Sequence, residues 1–318
     1  MDHRSHLQVR CGIVLAAGEG KRLQPFIRRL CGKDLPKQYV NFIGTRSMLE
    51  HTFHRVETLI PPDRLFTVVA RHHLRHPEVC RQLSDRPEGN VILQPENKET
   101  GPGILLPLVH AYKHYPEAVV ALFPSDHFIL EEELFMHHVD QACRVVERDP
   151  SRLVLLGMEP NAPEPEYGYI LPVGDTDTPS RLGMRPVSRF IEKPDLHAAR
   201  ELFHNGGLWN TMVMAFKAKT LLALARKVAP ALCRSFQRIW SSIGTSAETE
   251  VMEEVYRKIK PVNFSKGLLE AISIQYSSHL DVLPVRDVFW SDWGSEHRIK
   301  SMLRQMNHPQ ELIKVQTA

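Results

Sequence analysis

Two cations, Lys21 and Arg22, follow directly on the small-residue run Ala16, Ala17, Gly18, Glu19, Gly20, which itself ends the apolar stretch GIVLA. Small residues let backbone N–H groups curl round a phosphate chain, and neighbouring Lys and Arg add charge-assisted hydrogen bonds. Phosphate binding is the chemistry on offer; the plain alternative is a solvated turn bearing two surface cations. Two familiar phosphate loops fit poorly. A dinucleotide loop wants glycine where Leu23 stands and an acidic residue closing the second strand, which here ends at Ala70 and Arg71. A Walker loop wants Ser or Thr after its lysine, and Arg22 stands there. Asp126 follows a buried-looking run ending ALFPS, an expensive place for an unpaired carboxylate. Asp292 lies in WSDWGS, where an Asx turn is the simple account. His72 and His76 in ARHHLRHPE are four apart, a spacing that shares one helical face. No glutamate stands in the zincin position and Arg71 and Arg75 flank the pair, so this stretch reads as solvated surface.

The elements that must position these residues alternate along the first half. Short apolar runs GIVLA, LFTVVA, NVILQ, AVVALF and RLVLLGM suit strands buried on both faces. Between them Leu49, Phe53, Val56 and Ile60, then Leu134, Val139, Ala142 and Val146, recur at helical spacing. This alternation predicts an α/β fold with a mostly parallel, mixed central sheet covered by helices. Ligands of such sheets gather at the carboxyl ends of the strands, where AAGEGKR and PSDH fall. Further on, YGYILPV, MRPVSRFIE and WNTMVMAF read as strands between Pro-rich loops, and EPNAPEPE as a rigid loop. Residues 218–275 are mainly helical, either a homodimer surface or a cover for the sheet. Strand and turn return at 280–295 before a last helix.

Bulk composition narrows the class. Apolar residues make up 42% and charged residues 24% of the 318, an ordinary globular balance that argues against disorder. The formal charge of +3 is near balance and the basic residues are scattered, so no nucleic-acid partner is expected. No apolar run approaches the ~20 residues that span a bilayer, and MDHRSHLQVR has no apolar leader core, so neither membrane nor secretory leader is expected. Five scattered cysteines without a C-x-x-C pair read as reduced thiols of a cytoplasmic protein, most of them core fillers.

The loop continues into DLPKQYV, and six further segments follow in order: QPENKETGPGI, FPSDHFI, EYGYI, RFIEKP, LWNTMVMAF and WSDWGS. Together they resemble the sugar-1-phosphate nucleotidyltransferases, and among them the mannose-1-phosphate guanylyltransferases, over roughly residues 10–300. The resemblance implies a Rossmann-like nucleotidyltransferase fold with a smaller sugar-binding subregion and a helical C-terminal part. It divides the chain into an N-terminal arm (1–10), a nucleotidyltransferase domain (11–300) and a C-terminal helix and tail (301–318). Within the domain it implies a nucleotide half (11–158), a sugar half (159–217), a helical segment (218–275) and a second metal loop (280–300). The implied reaction joins a nucleoside triphosphate, GTP, to a sugar 1-phosphate, mannose 1-phosphate, and releases pyrophosphate. Such transfers are catalysed by positioning and charge stabilisation. Carried over residue by residue, Arg22 and Lys37 are catalytic. Ala16, Ala17, Gly18, Gly20, Lys21, Arg22, Gln94, Thr100, Ser125 and Asp126 bind the nucleotide. Gly168, Glu192, Lys193 and Asn210 bind the sugar phosphate, and Asp126 and Asp292 hold Mg²⁺.

Several positions depart from the family pattern. Gln94 stands where guanylyltransferases often carry Glu, and an amide cannot accept from both guanine N–H groups. UTP, dTTP or ATP with glucose 1-phosphate therefore stay open. Glu99 replaces an Asn, Met212 a Gly, and Glu166 a Gly before Tyr-Gly-Tyr. A catalytically inactive, nucleotide-sugar-sensing paralogue is the alternative of another class; the retained Arg22, Lys37, Asp126, Lys193 and Asp292 argue against it. Neither a C-terminal isomerase domain nor a hexapeptide β-helix is expected within the 318 residues.

Overall fold

Strands form where apolar, β-branched side chains run without interruption. Leu65–Ala70 (LFTVVA), Val119–Pro124 (VVALFP) and Leu153–Met158 (LVLLGM) are buried at every position, as strands covered on both faces must be. A computed structural model describes residues 9–174 and 183–305 of the chain. The expected arm up to residue 8 and the tail from residue 306 lie outside the described residues. In chain order the strands are β1 Arg10–Leu15, β2 Leu65–Ala70, β3 Val91–Gln94, β4 Val119–Pro124, β5 Phe128–Ile129, β6 Leu153–Met158, β7 Tyr169–Pro172, β8 Arg185–Ile191, β9 Leu208–Lys217, β10 Leu280–Val285 and β11 Trp290–Ser291. The helices are α1 Gln24–Cys31, α2 Met48–Val56, α3 Pro77–Leu83, α4 Thr100–His114, α5 Glu132–Arg148, α6 Leu196–His204, α7 Ala218–Val228, α8 Pro230–Ser242, α9 Glu248–Lys258, α10 Glu270–Gln275 and α11 Glu296–Gln305.

Nine strands make one sheet in the order β3-β2-β1-β4-β9-β6-β10-β8-β7. β1, β2, β3, β4, β6 and β10 share one direction, while β9 runs against both β4 and β6 in mid-sheet. The sheet is thus mixed, as expected, and the antiparallel element has a topological cause. After β6 the chain goes out to the far edge as the antiparallel pair β7–β8 and returns as β9, which also pairs with β7 through Tyr169 and Trp209.

Alternation along each strand splits the core in two. Val119, Ala121 and Phe123 of β4 face one layer with α2 and α5; Val120 and Leu122 face the other with α4 and α7 to α10. The helical segment 218–275 therefore covers the sheet with its apolar face. α2 opens on a capping box between Ser47 and Glu50, which satisfies two otherwise orphan N–H groups. Of the residues expected on the apolar face of α5, Val139, Ala142 and Val146 are buried and Leu134 is exposed, because it stands five residues before Val139 and off the stripe, whose first position is the buried Phe135.

The histidine-rich stretch departs from expectation. Residues Arg71–Arg75 form a 3-10 turn and His76 is the extended residue before α3, so His72 and His76 share no helical face. His73 is 1% exposed rather than solvated, its ring packed edge-on against Tyr39. Among the described residues no helix is long and apolar enough to cross a membrane, and all five cysteines are free.

Candidate active site

β1, β2, β3 and β4 all end at the same rim, and so their following turns meet. The turn after β1 passes through Gly20 at φ +58°, where a Cβ would be strained and would sit 3.2 Å from the Lys37 amide nitrogen. It is held from beneath. Gln38 Nε2 donates to the carbonyls of Ala16 and Gly18, both at 2.8 Å, and Tyr39 Oη donates to Ala16 O at 2.9 Å. With those carbonyls engaged, the amides of Ala17, Gly18, Glu19 and Gly20 make no hydrogen bond among the described residues. Ser125 ties this turn's strand to the next, donating from its amide and its hydroxyl to Leu15 O.

The two carboxylate loops are brought together by a short ribbon. β5 follows Asp126 and β11 precedes Asp292, and the two strands pair antiparallel with Ser291 opposite Phe128. Trp293 stacks on Phe128 at 4.9 Å, fixing the ribbon against the sheet. Lys37, only 7% exposed, reaches into the junction. Its ammonium lies 3.0 Å from Asp126 Oδ2 and donates to the backbone carbonyl of Asp292 at 2.6 Å. A buried ammonium costs several kcal/mol unless paired and hydrogen-bonded, and here it is both.

Burial pushes the Asp126 carboxyl up, but the charge and hydrogen bond of the Lys37 ammonium, with a part from His127, together hold the group below its ordinary range. Burial likewise raises Asp292, while Lys37 and Arg298 bring it lower on balance. Tyr167 Oη, the Gly294 amide and an Arg298 guanidinium nitrogen all donate to Asp292 Oδ1, each at 3.0 Å. The other oxygen, Oδ2, is left for a ligand. Two ionised carboxylates with an uncommitted oxygen are the donor set of a hard divalent cation. His127 beside them is neutral: burial pushes it down to about 4, and Trp290 Nε1 donates to its Nδ1 at 3.2 Å.

Arg298 was invisible to sequence reasoning. It pairs with Asp292 (3.0 Å), Glu164 (2.8 Å) and Glu166 (3.2 Å), with its guanidinium 4.6 Å from the centre of the Tyr167 ring. Only its place six residues after Asp292, on the helix that follows WSDWGS, hinted at it. Arg22 is exposed and meets Glu166 at 3.5 Å, a weak pair that leaves it free to turn to a ligand. Lys21 is exposed beside it.

Gly168, Glu192 and Asn210 form a second group. A Cβ on Gly168 would lie 2.7 Å from Glu192 Oε2 and 3.5 Å from Asn210 Cβ, so a larger residue there would displace the Glu192 carboxylate. Asn210 Oδ1 accepts from the Met212 amide at 3.0 Å, which aims its NH₂ elsewhere. Lys193 is exposed at φ +46° immediately before a proline. Gln94 and Thr100 stand at the end of β3 and the start of α4. Gln94 is 1% exposed; its Nε2 donates to Glu96 O at 2.7 Å, and its Oε1 is buried without a partner among the described residues. The Thr100 hydroxyl is engaged, accepting from the Phe264 amide at 2.8 Å.

The family model described as nucleotidyl transferase matches residues 11–307. A mannose-1-phosphate guanylyltransferase from Escherichia coli is 33% identical over 288 residues, 89% of this chain and 58% of that protein. The xanthan biosynthesis protein XanB of Xanthomonas campestris pv. campestris (strain B100) is 29% identical over 285 residues, 89% of this chain and 57% of its own. The chain thus spans less than three fifths of the length of the curated relatives it matches. The crystal structure of a mannose-1-phosphate geranyltransferase from Thermus thermophilus superposes with a TM-score of 0.77 at 26% identity, covering 92% of this chain and 79% of that one.

Proposed function

The chain belongs to the nucleotidyl transferase family, and from that premise we propose that it transfers a nucleoside monophosphate from GTP to mannose 1-phosphate, giving GDP-mannose and pyrophosphate. An oxygen of the sugar phosphate attacks the α-phosphorus in line, and the bond to the departing pyrophosphate breaks. Both reactants are polyanions, so their charge must be met before they can approach. The observation that carries the reading is Lys37, a buried ammonium fixed between Asp126 and the Asp292 loop at the open amides of residues 17–20. Fixed donors of this kind meet charge as it develops without reorganising. Lys21 and Arg22 hold the triphosphate tail. Lys193 meets the sugar phosphate, while Glu192 and Asn210 take sugar hydroxyls. Asp126 and Asp292 are oxygen ligands of the kind Mg²⁺ takes, and the ion when bound supplies charge neutralisation at the phosphates. Free thiols fit a cytoplasmic setting.

Gln94 favours a second reading of the base. Its single free acceptor, Oε1, suits one base N–H, and the N3–H of UTP or dTTP satisfies it as well as a guanine N–H does. Pyrophosphate release measured over GTP, UTP, dTTP and ATP against mannose and glucose 1-phosphates decides the matter. The highest kcat/KM is expected for GTP with mannose 1-phosphate. A higher value for another triphosphate would overturn the guanine assignment and keep the reaction class, and no turnover with any pair would overturn the class.

A further inference from the structure

The parallel neighbours β1 and β2 end side by side, so the turn carrying Glu19 meets the turn carrying His72 and His73. His72 Nε2 lies 3.1 Å from Glu19 Oε1 and 3.2 Å from Oε2, and His73 Nε2 lies 3.9 Å from Oε2. One donor atom from each of the three residues falls within 4.8 Å of the others. None of the three belongs to the oxygen set of Asp126 and Asp292.

His73 supplies the independent observation. It is 1% exposed, and its Nε2 has no hydrogen-bond partner among the described residues. Its Nδ1 lies 3.2 Å from Tyr39 Oη, whose own proton goes to Ala16 O at the shorter distance of 2.9 Å. Tyr39 oxygen therefore accepts from Nδ1–H, and Nε2 carries a lone pair. A buried lone pair then faces a carboxylate with nothing donated between them. That arrangement asks for a cation.

We propose that Glu19, His72 and His73 form a first-row transition-metal site of the two-imidazole, one-carboxylate kind, with Zn²⁺ the fitting ion. Imidazole nitrogens favour zinc and its neighbours over Mg²⁺ or Ca²⁺. With metal–ligand bonds of about 2.0–2.2 Å, tetrahedral ligands sit roughly 3.3–3.5 Å apart, close to the 3.1 and 3.9 Å that separate Glu19 from the two imidazoles, all three donor atoms lying within 4.8 Å of one another. The Tyr39 contact at Nδ1 is the outer hydrogen bond that orients a ligating histidine. Glu19 and His72 are 22% and 40% exposed at their side chains, which leaves the fourth position open to solvent. Arg71, which flanks the pair in sequence, is tied to Glu253. The metal clamps the turn after β1 to the end of β2. A consequence rests on the triphosphate reading: metal on Glu19 offsets the one anion in a turn otherwise suited to phosphate.

The test is calorimetric titration of the metal-stripped full chain with Zn²⁺, without nucleotide and with Mg²⁺ in excess. One equivalent is expected to bind. Glu19→Gln and His72→Ala should each weaken it at least about tenfold, and His73→Gln should abolish it, while His76→Gln leaves it unchanged. The two surface variants keep the test sound should the buried His73→Gln fail to fold. No zinc uptake, as a proton on Nε2 would give, overturns the proposal; so does uptake indifferent to Glu19→Gln and His72→Ala. Because no nucleotide is present, failure here is distinct from failure of the triphosphate reading, which shows as absent pyrophosphate release with zinc binding intact.

Discussion

Lys37 and Asp126 show how one contact serves both the fold and the chemistry. The ammonium stabilises Asp126 as an anion, and Asp126 in turn offsets the burial of the ammonium. Asp126→Asn keeps the side chain's shape but removes the negative charge that would offset a bound Mg²⁺. Turnover is expected to fall at least ~100-fold, a barrier increase of roughly 2.7 kcal/mol, with the circular dichroism spectrum unchanged. Activity retained near the parent level in Mg²⁺ would place the metal elsewhere. The Pro-Lys-Gln stretch draws attention to Lys37 in the sequence, yet its neighbours divide the labour in a way that spacing does not disclose. Gln38 and Tyr39 point inward to hold the loop's carbonyls, and only the three-dimensional turn at residues 37–39 separates the two directions.

At the scale of elements, the site is assembled by loops in sparsely populated backbone conformations. Glu99, Lys193, Met212 and Trp293 all have positive φ without being glycine, and each lies within two residues of a side chain of the candidate site. Backbone strain of this sort persists where surrounding structure over-determines it. Met212 occupies a left-handed position that glycine would hold at no steric cost, which explains in backbone terms why its departure from the family pattern stood out. The strands were legible because their apolar runs are continuous, and the strand ends marked the rim where the site lies. β9 was legible as a strand from WNTMVMAF, but its antiparallel place in mid-sheet was not, since pairing direction depends on a long excursion through β7 and β8 rather than on any local pattern. The same holds for α11: a last helix was expected from 301, but not its start at Glu296, within the expected metal loop, nor its ion pairs. Arg298 on α11 gathers Asp292, Glu164 and Glu166 round one guanidinium. Arg298→Ala leaves three carboxylates facing one another, so thermal denaturation should shift down by several degrees, about 1–3 kcal/mol, and kcat should fall as Asp292 loses a fixed donor. Arg298→Lys should restore little, because an ammonium cannot span three partners in a planar fork. Parent-like stability and kcat in Arg298→Ala would show that the Tyr167 and Gly294 donors suffice.

Over the whole molecule, the sheet divides the core into two layers, and the layer of α4 with α7 to α10 meets the candidate site at its edge, through Thr100 and Glu270, and buries polar groups of its own further in. This layer contains a histidine whose titration should report on the fold alone. His110 of α4 is 6% exposed, its Nε2 has no hydrogen-bond partner among the described residues, and it faces Glu248 of α9 at 3.9 Å and His114 one turn on. Burial pushes it down to about 4, with the Glu248 carboxylate opposing only in part. The sign follows from linkage: between the unfolded value near 6.5 and the folded value the unfolded chain binds the extra proton, so acid favours unfolding. The contribution of neutral His110 is intact above pH 6.5, falls as the pH drops towards 4, and levels off below, with roughly 3 kcal/mol lost in all. His110→Gln removes the titration but keeps a neutral polar side chain. Stability of the two proteins, measured by urea denaturation at steps from pH 7 to pH 4, should therefore converge, the parent losing its advantage as the pH falls while the variant's curve stays flatter. Parallel curves over that window would mean that water or Glu248 reaches His110 in the folded state, and that the α4–α9 contact is less dry than its packing indicates.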